Sequence, residues 1–155
     1  MAAGKGLRRL LRLPLLEEEQ AERTLEAAVS AVRELDAGIT VARGRERMGQ
    51  GLVRLSATAG EPLDRVAGLE EVRAGERIRE ALIPRLAEAE TVAAARQAQY
   101  LSKRVERRQA ETVVHEAEAR AAEDAARRNQ ESLDDLYLGR MRRNAVAELH
   151  EQTPM

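Results

Sequence analysis

The stretch from Leu25 to Ala42 reads LEAAVSAVRELDAGITVA. Its apolar residues Leu25, Ala28, Val32, Leu35, Ile39 and Ala42 are spaced three, four, three, four and three. That rhythm makes one narrow stripe on a helix, the seam by which a coiled coil holds its partner. A second seam starts at Leu82 and continues through Leu86, Ala89 and Ala93, then Tyr100, Ala110, Val114, Ala117 and Ala121. Between the seams, six of the ten glycines fall within residues 44–75. Gly60, followed by Pro62, is a stop and restart signal. The fold expected is all-α: a long antiparallel two-helix coiled-coil hairpin with the longer helix C-terminal. Folding about Gly60 and Glu61 sets Ile39 against Leu82 or Ile83, Leu35 against Leu86, Val32 against Ala89 and Ala28 against Ala93. Two independent seams thus meet from a turn chosen on other grounds.

One domain of 155 residues is expected. Its parts are a first arm over 7–57, a turn over 58–62, a second arm over 63–149 and a frayed tail over 150–155. Pro14 is an early kink or a first-turn residue; Pro84 is a kink or a second helix start. Gly38, Gly44, Gly49 and Gly51 weaken the first arm, and Gly68 and Gly75 the second, so the end near the turn is expected to be soft. Residues beyond about 115 have no partner in this register and form an overhang of about 45 Å at the helical rise.

Composition narrows the function classes. The chain has no Phe, Trp or Cys, only two tyrosines, 34% charged residues and a net charge of −1. Such a balance suits exposed helices with a thin seam. It supplies no global field for nucleic acid, no disulfide framework and no thiolate metal site. No apolar run approaches the roughly 20 residues that span a bilayer. The basic N-terminus, MAAGKGLRRLLRLPLL, reads as a helix start, a targeting segment or a membrane-surface contact.

Few residues suggest chemistry. Arg96, Lys103 and Arg107 fall on the seam, either to meet an acidic partner or to snorkel and specify register. Glu111, His115 and Glu118 share a helix face, but the facing arm offers no His to complete a metal site. No cofactor is expected, no nucleophile–base pairing or phosphate-cradling loop occurs, and no catalytic site is expected. The least ordinary block is SLDDLYLGRMRR, residues 132–143. Leu133, Leu136, Tyr137 and Met141 make an apolar face beside Asp134, Asp135, Arg140, Arg142 and Arg143. Such a face reads as an interface, or as an amphipathic helix packed on the N-terminal leucines Leu7–Leu13.

With LRRLLRL, EEEQAERTLEAA and RRNQESLDDLYLGRMRR in view, the chain resembles the FliJ family of flagellar type III export stalk proteins. The YscO-like virulence-secretion stalks are near relatives. The resemblance implies a cytoplasmic protein, peripheral to the inner-membrane export apparatus. It would insert its helical ends into a hexameric export ATPase, promote ring assembly, link the ring to the export gate membrane protein and escort substrate chaperones. On that resemblance, ATPase contact falls to Leu7, Arg8, Arg9, Arg12, Leu133, Leu136, Tyr137, Arg140, Arg142 and Arg143. Gate contact falls to Arg45, Met48, Leu52 and Leu55. A self-associating coiled-coil adaptor is the alternative of a different class.

Overall fold

In a computed structural model, residues 2–151 of the chain are described. They form α1 (Ala2–Leu10), α2 (Arg12–Ala59) and α3 (Pro62–Glu151), with no strand among the described residues. The fold is an all-α helical hairpin, and α3, at 90 residues against 48 for α2, is the longer helix. Of the frayed tail expected over 150–155, His150 and Glu151 belong instead to α3, and the rest lies outside the described residues.

The turn is tighter than the sequence suggested, because helix runs to Ala59 and resumes at Pro62. Gly60 takes φ 71°, the left-handed conformation a glycine adopts without a Cβ penalty. Its N–H donates to the Ser56 carbonyl at 2.9 Å and satisfies an end-of-helix acceptor. Pro62 opens α3, where its missing donor costs nothing, and Asp64 sets a negative charge in the first turn. Pro14 likewise sits in the first turn of α2. Pro84 differs, because α3 continues through it. An interior proline forfeits a backbone hydrogen bond and is worth roughly 3 kcal/mol less than alanine. Pro84 is exposed, so no packing contact opposes its replacement. Pro84→Ala is expected to raise the thermal midpoint, read by circular dichroism; an unchanged or lowered midpoint would contradict an uninterrupted α3.

Packing divides the chain into two units: Leu13–Arg107, and Met1–Arg12 with Arg108–Met155. In the first unit, Leu25, Ala28, Val32 and Leu35 are half-buried, and Ile39 and Ala42 are buried. Leu82, Leu86, Ala89 and Ala93 supply the half-buried face of α3.

The seam continues into the glycine-rich stretch, where the sequence predicted a soft end. Gly49 and Ser56 continue the seven-residue spacing from Ala42, Gly68 and Gly75 continue it backward from Leu82, and all four are buried. A Cβ on Gly49 would overlap the Gly68 carbonyl oxygen and lie 2.8 Å from the Val72 nitrogen. A Cβ on Gly68 would lie 2.6 Å from the Gly49 carbonyl oxygen, and one on Gly75 would lie 2.7 Å from that of Ala42. The two backbones touch here because the side chains between them are gone. Low helix propensity argues for weakness, while the close approach of two helices gives these glycines a packing role that propensity does not report.

Charged residues flank the seam. Arg45 donates from Nε and Nη2 to the two carboxylate oxygens of Glu71, at 2.9 and 3.1 Å. Arg79 donates to Glu46 at 2.8 Å, and Lys103 to Glu17 at 3.1 Å and to Glu106 at 2.8 Å. Arg107 pairs with Glu18. Lys103 and Arg107 thus meet acids of the opposite arm and mark the register, the second of the two readings their position allowed. The hydrogen bond from Arg45 holds the Glu71 carboxyl below its ordinary range, and that from Lys103 does the same for Glu106. Each carboxylate stabilises the fold above its unfolded pKa and loses that contribution as pH falls through its lower folded value. Hairpin stability is therefore expected to hold at neutral pH and to decline on acidification below the ordinary carboxylate range. Thermal melts across pH check this. Glu71→Gln should flatten part of the acid limb, and an unchanged limb would contradict the Arg45–Glu71 contribution.

Candidate functional site

The second unit carries the block singled out at residues 132–143. Strong helix formers and the absence of proline keep α3 helical here. At its start, Val114 is buried, while Leu7, Ala110 and Ala117 are half-buried. Arg8 Nε donates to Glu118 Oε1 at 3.1 Å, and the Leu11 N–H closes α1 onto the Arg8 carbonyl at 3.3 Å. From Ala119 to Glu148 every residue except Gly139 is exposed.

Leu133, Leu136 and Tyr137 are 60%, 68% and 64% exposed, and Met141 is also exposed. At 3.6 residues per turn, this face lies on the order of 140° around α3 from Ala110, Val114, Ala117 and Ala121. It is therefore a separate apolar face and does not continue the seam that buries Val114. Gln130 donates to Asp134 at 2.9 Å beside it. Arg140, Arg142 and Arg143 make no ion pair among the described residues. A ridge of leucine, tyrosine and methionine with uncommitted arginines carries the residue types that dominate protein interfaces.

The structure does not join this face to the N-terminal leucines. Arg8 reaches Glu118, Leu10 is exposed, and Leu133 and Leu136 stay open. Arg9 and Arg12 are exposed. The other group of candidates lies in the unit Leu13–Arg107, where Arg45 is committed to Glu71, Leu52 is half-buried, and Met48 and Leu55 are exposed. Sequence reading missed that Val41, Gly44 and Gly51 share the face of Met48 and Leu55. Their three-and-four spacing was visible, but the inner seam had already claimed the helical period.

Of the Glu111–His115–Glu118 set, Glu118 receives Arg8, and the described residues contain no cluster of His, Cys, Asp or Glu able to hold a metal ion. Arg45, Glu71, Arg79, Lys103 and Glu106 are each held more firmly in the charged form by the hydrogen bonds of the ion pairs described above. No helix is long and apolar enough to cross a membrane among the described residues. No protein-family model, curated protein or solved structure matches the chain.

Proposed function

We propose that the chain is a non-enzymatic helical stalk of a type III protein export apparatus, FliJ-like, in the cytoplasm beside the inner membrane. The observation that carries this reading is the exposed face of Leu133, Leu136, Tyr137 and Met141 on a stretch of α3 that is open among the described residues. Burying large apolar side chains is favourable by about 1.5–3 kcal/mol each, so a face this open calls for an outside partner. In the proposal that partner is the inner surface of a hexameric export ATPase. Arg140, Arg142 and Arg143, with Arg8, Arg9 and Arg12, meet its acidic groups. The hairpin end holding Arg45, Met48, Leu52 and Leu55 faces the export gate, and substrate chaperones are the remaining partners. Adding the purified chain to the cognate ATPase should raise hydrolysis and hexamer formation; no effect on either would reject the stalk.

The same exposed face also fits a self-associating structural adaptor. Light scattering over a concentration series separates the two. The stalk stays monomeric without its ATPase, while the adaptor gains mass with concentration.

A further inference from the structure

α2 carries a second seam that nothing among the described residues covers. Ala37, Val41, Gly44, Met48, Gly51, Leu55 and Thr58 are spaced four, three, four, three, four and three. This is the same coiled-coil rhythm as the inner seam, on the order of 140° around the helix from Ala42, Gly49 and Ser56. Val41, Met48 and Leu55 are 66%, 65% and 63% exposed. A Cβ on Gly44 or Gly51 would meet nothing within 4 Å. Glycine in the middle of an exposed helix is a poor choice unless another backbone must come close. Inside the hairpin, Gly49, Gly68 and Gly75 are each pressed by the opposing backbone. Gly44 and Gly51 repeat that device on the outer face, alternating with the large side chains that would interlock with a third helix.

Charge narrows the occupant. Arg47 and Arg54 run along one flank of the stripe with Arg43 behind them, all exposed and none in an ion pair among the described residues. Arg43, Glu46, Arg47, Gln50 and Arg79 line a shallow hollow on that flank. Its one acid, Glu46, already receives Arg79. A second copy docking antiparallel by the same stripe would set Arg47 and Arg54 against their own counterparts, which disfavours self-pairing in that orientation. We infer that the outer stripe of α2 seats an amphipathic helix of a partner protein, with small apolar residues on its seam and acidic residues on its flanks. The inference deepens the reading of Met48 and Leu55 as partner-facing residues and rests on that part of it alone.

The test uses the full chain and two designed helical peptides of about 21 residues, with alanine and leucine on the seam and glutamate or lysine on the flanks. The glutamate peptide should bind in fluorescence anisotropy, and the lysine peptide should bind at least about tenfold more weakly. Gly44→Ala/Gly51→Ala should raise the melting temperature yet weaken glutamate-peptide binding at least about tenfold, because two methyl groups fill the approach. No binding of the glutamate peptide would overturn the inference, and so would equal binding by the glycine double variant. A dimer of the chain that Gly44→Ala/Gly51→Ala dissolves would also overturn it, because the occupant would then be a second copy. ATPase stimulation, assayed with the same variant, should be unchanged, so this inference and the stalk proposal fail separately.

Discussion

Gly49→Ala should unfold the hairpin at a markedly lower temperature, although alanine is the better helix former by about 1 kcal/mol. The new methyl group meets the Gly68 carbonyl and the Val72 amide, which are backbone atoms and cannot rotate aside. Overpacking of this kind costs roughly 1–3 kcal/mol and sometimes more, which outweighs the propensity gain. In a unit of this size each kcal/mol moves the midpoint by about 4–8 °C, so a fall on the order of 10 °C is expected. Gly68→Ala and Gly75→Ala should fall too, against the Gly49 and Ala42 carbonyls. Gly44→Ala is the internal control, since open space surrounds it, and it should rise. Opposite signs for Gly44 and Gly49 on one helix separate seam glycines from mere helix breakers. Stabilisation by both would show that the backbones do not touch.

If the chain is the proposed stalk, Leu133→Ala/Leu136→Ala should abolish its stimulation of the export ATPase while leaving helicity nearly intact. Both leucines are exposed, and alanine is at least as good in a helix, so stability should shift by no more than about 0.5 kcal/mol. Two truncated anchors at an interface cost about 2 kcal/mol each, enough together to weaken binding on the order of several hundredfold. Arg140→Ala should cost less, as a charge that remains partly solvated. Circular dichroism and an ATPase titration on the same preparations check both halves. Full stimulation by the double variant would remove this face from the stalk proposal.

Much of the hairpin was legible because Leu25–Ala42 and Leu82–Ala93 carry strict three-and-four spacing and Gly60–Pro62 marks the turn. The facing of Gly38 and Leu82, and of Gly49 and Val72, follows the register that a fold at Gly60 and Glu61 generates. The packing role of Gly49, Gly68 and Gly75 was not read. Glycine lowers helix propensity wherever it stands, and propensity alone does not report whether another backbone lies opposite. Only their seven-residue spacing from Ala42 and Leu82 gave a hint. The break at Leu11 was also unmarked, since LRRLLRL has helical composition throughout. The open face at Leu133 was legible from register, because pairing about Gly60 exhausts the first arm before it reaches α3 residue 120. Its rotation off the Val114 seam appears only when the helical phase is followed through.

Lys103 and Glu17 give the most direct measurement of the central claim, that α2 and α3 close on each other within one molecule. The chain has only two lysines, Lys5 and Lys103, and Lys103 Nζ lies 3.1 Å from Glu17 Oε2. Zero-length carbodiimide cross-linking of mixed isotopically light and heavy protein, read by mass spectrometry, reports both register and molecularity. A Lys103–Glu17 link should appear in light–light and heavy–heavy forms only. Mixed light–heavy links, or coupling of Lys103 to carboxylates near Glu34 or Glu46 in place of Glu17, would contradict the account.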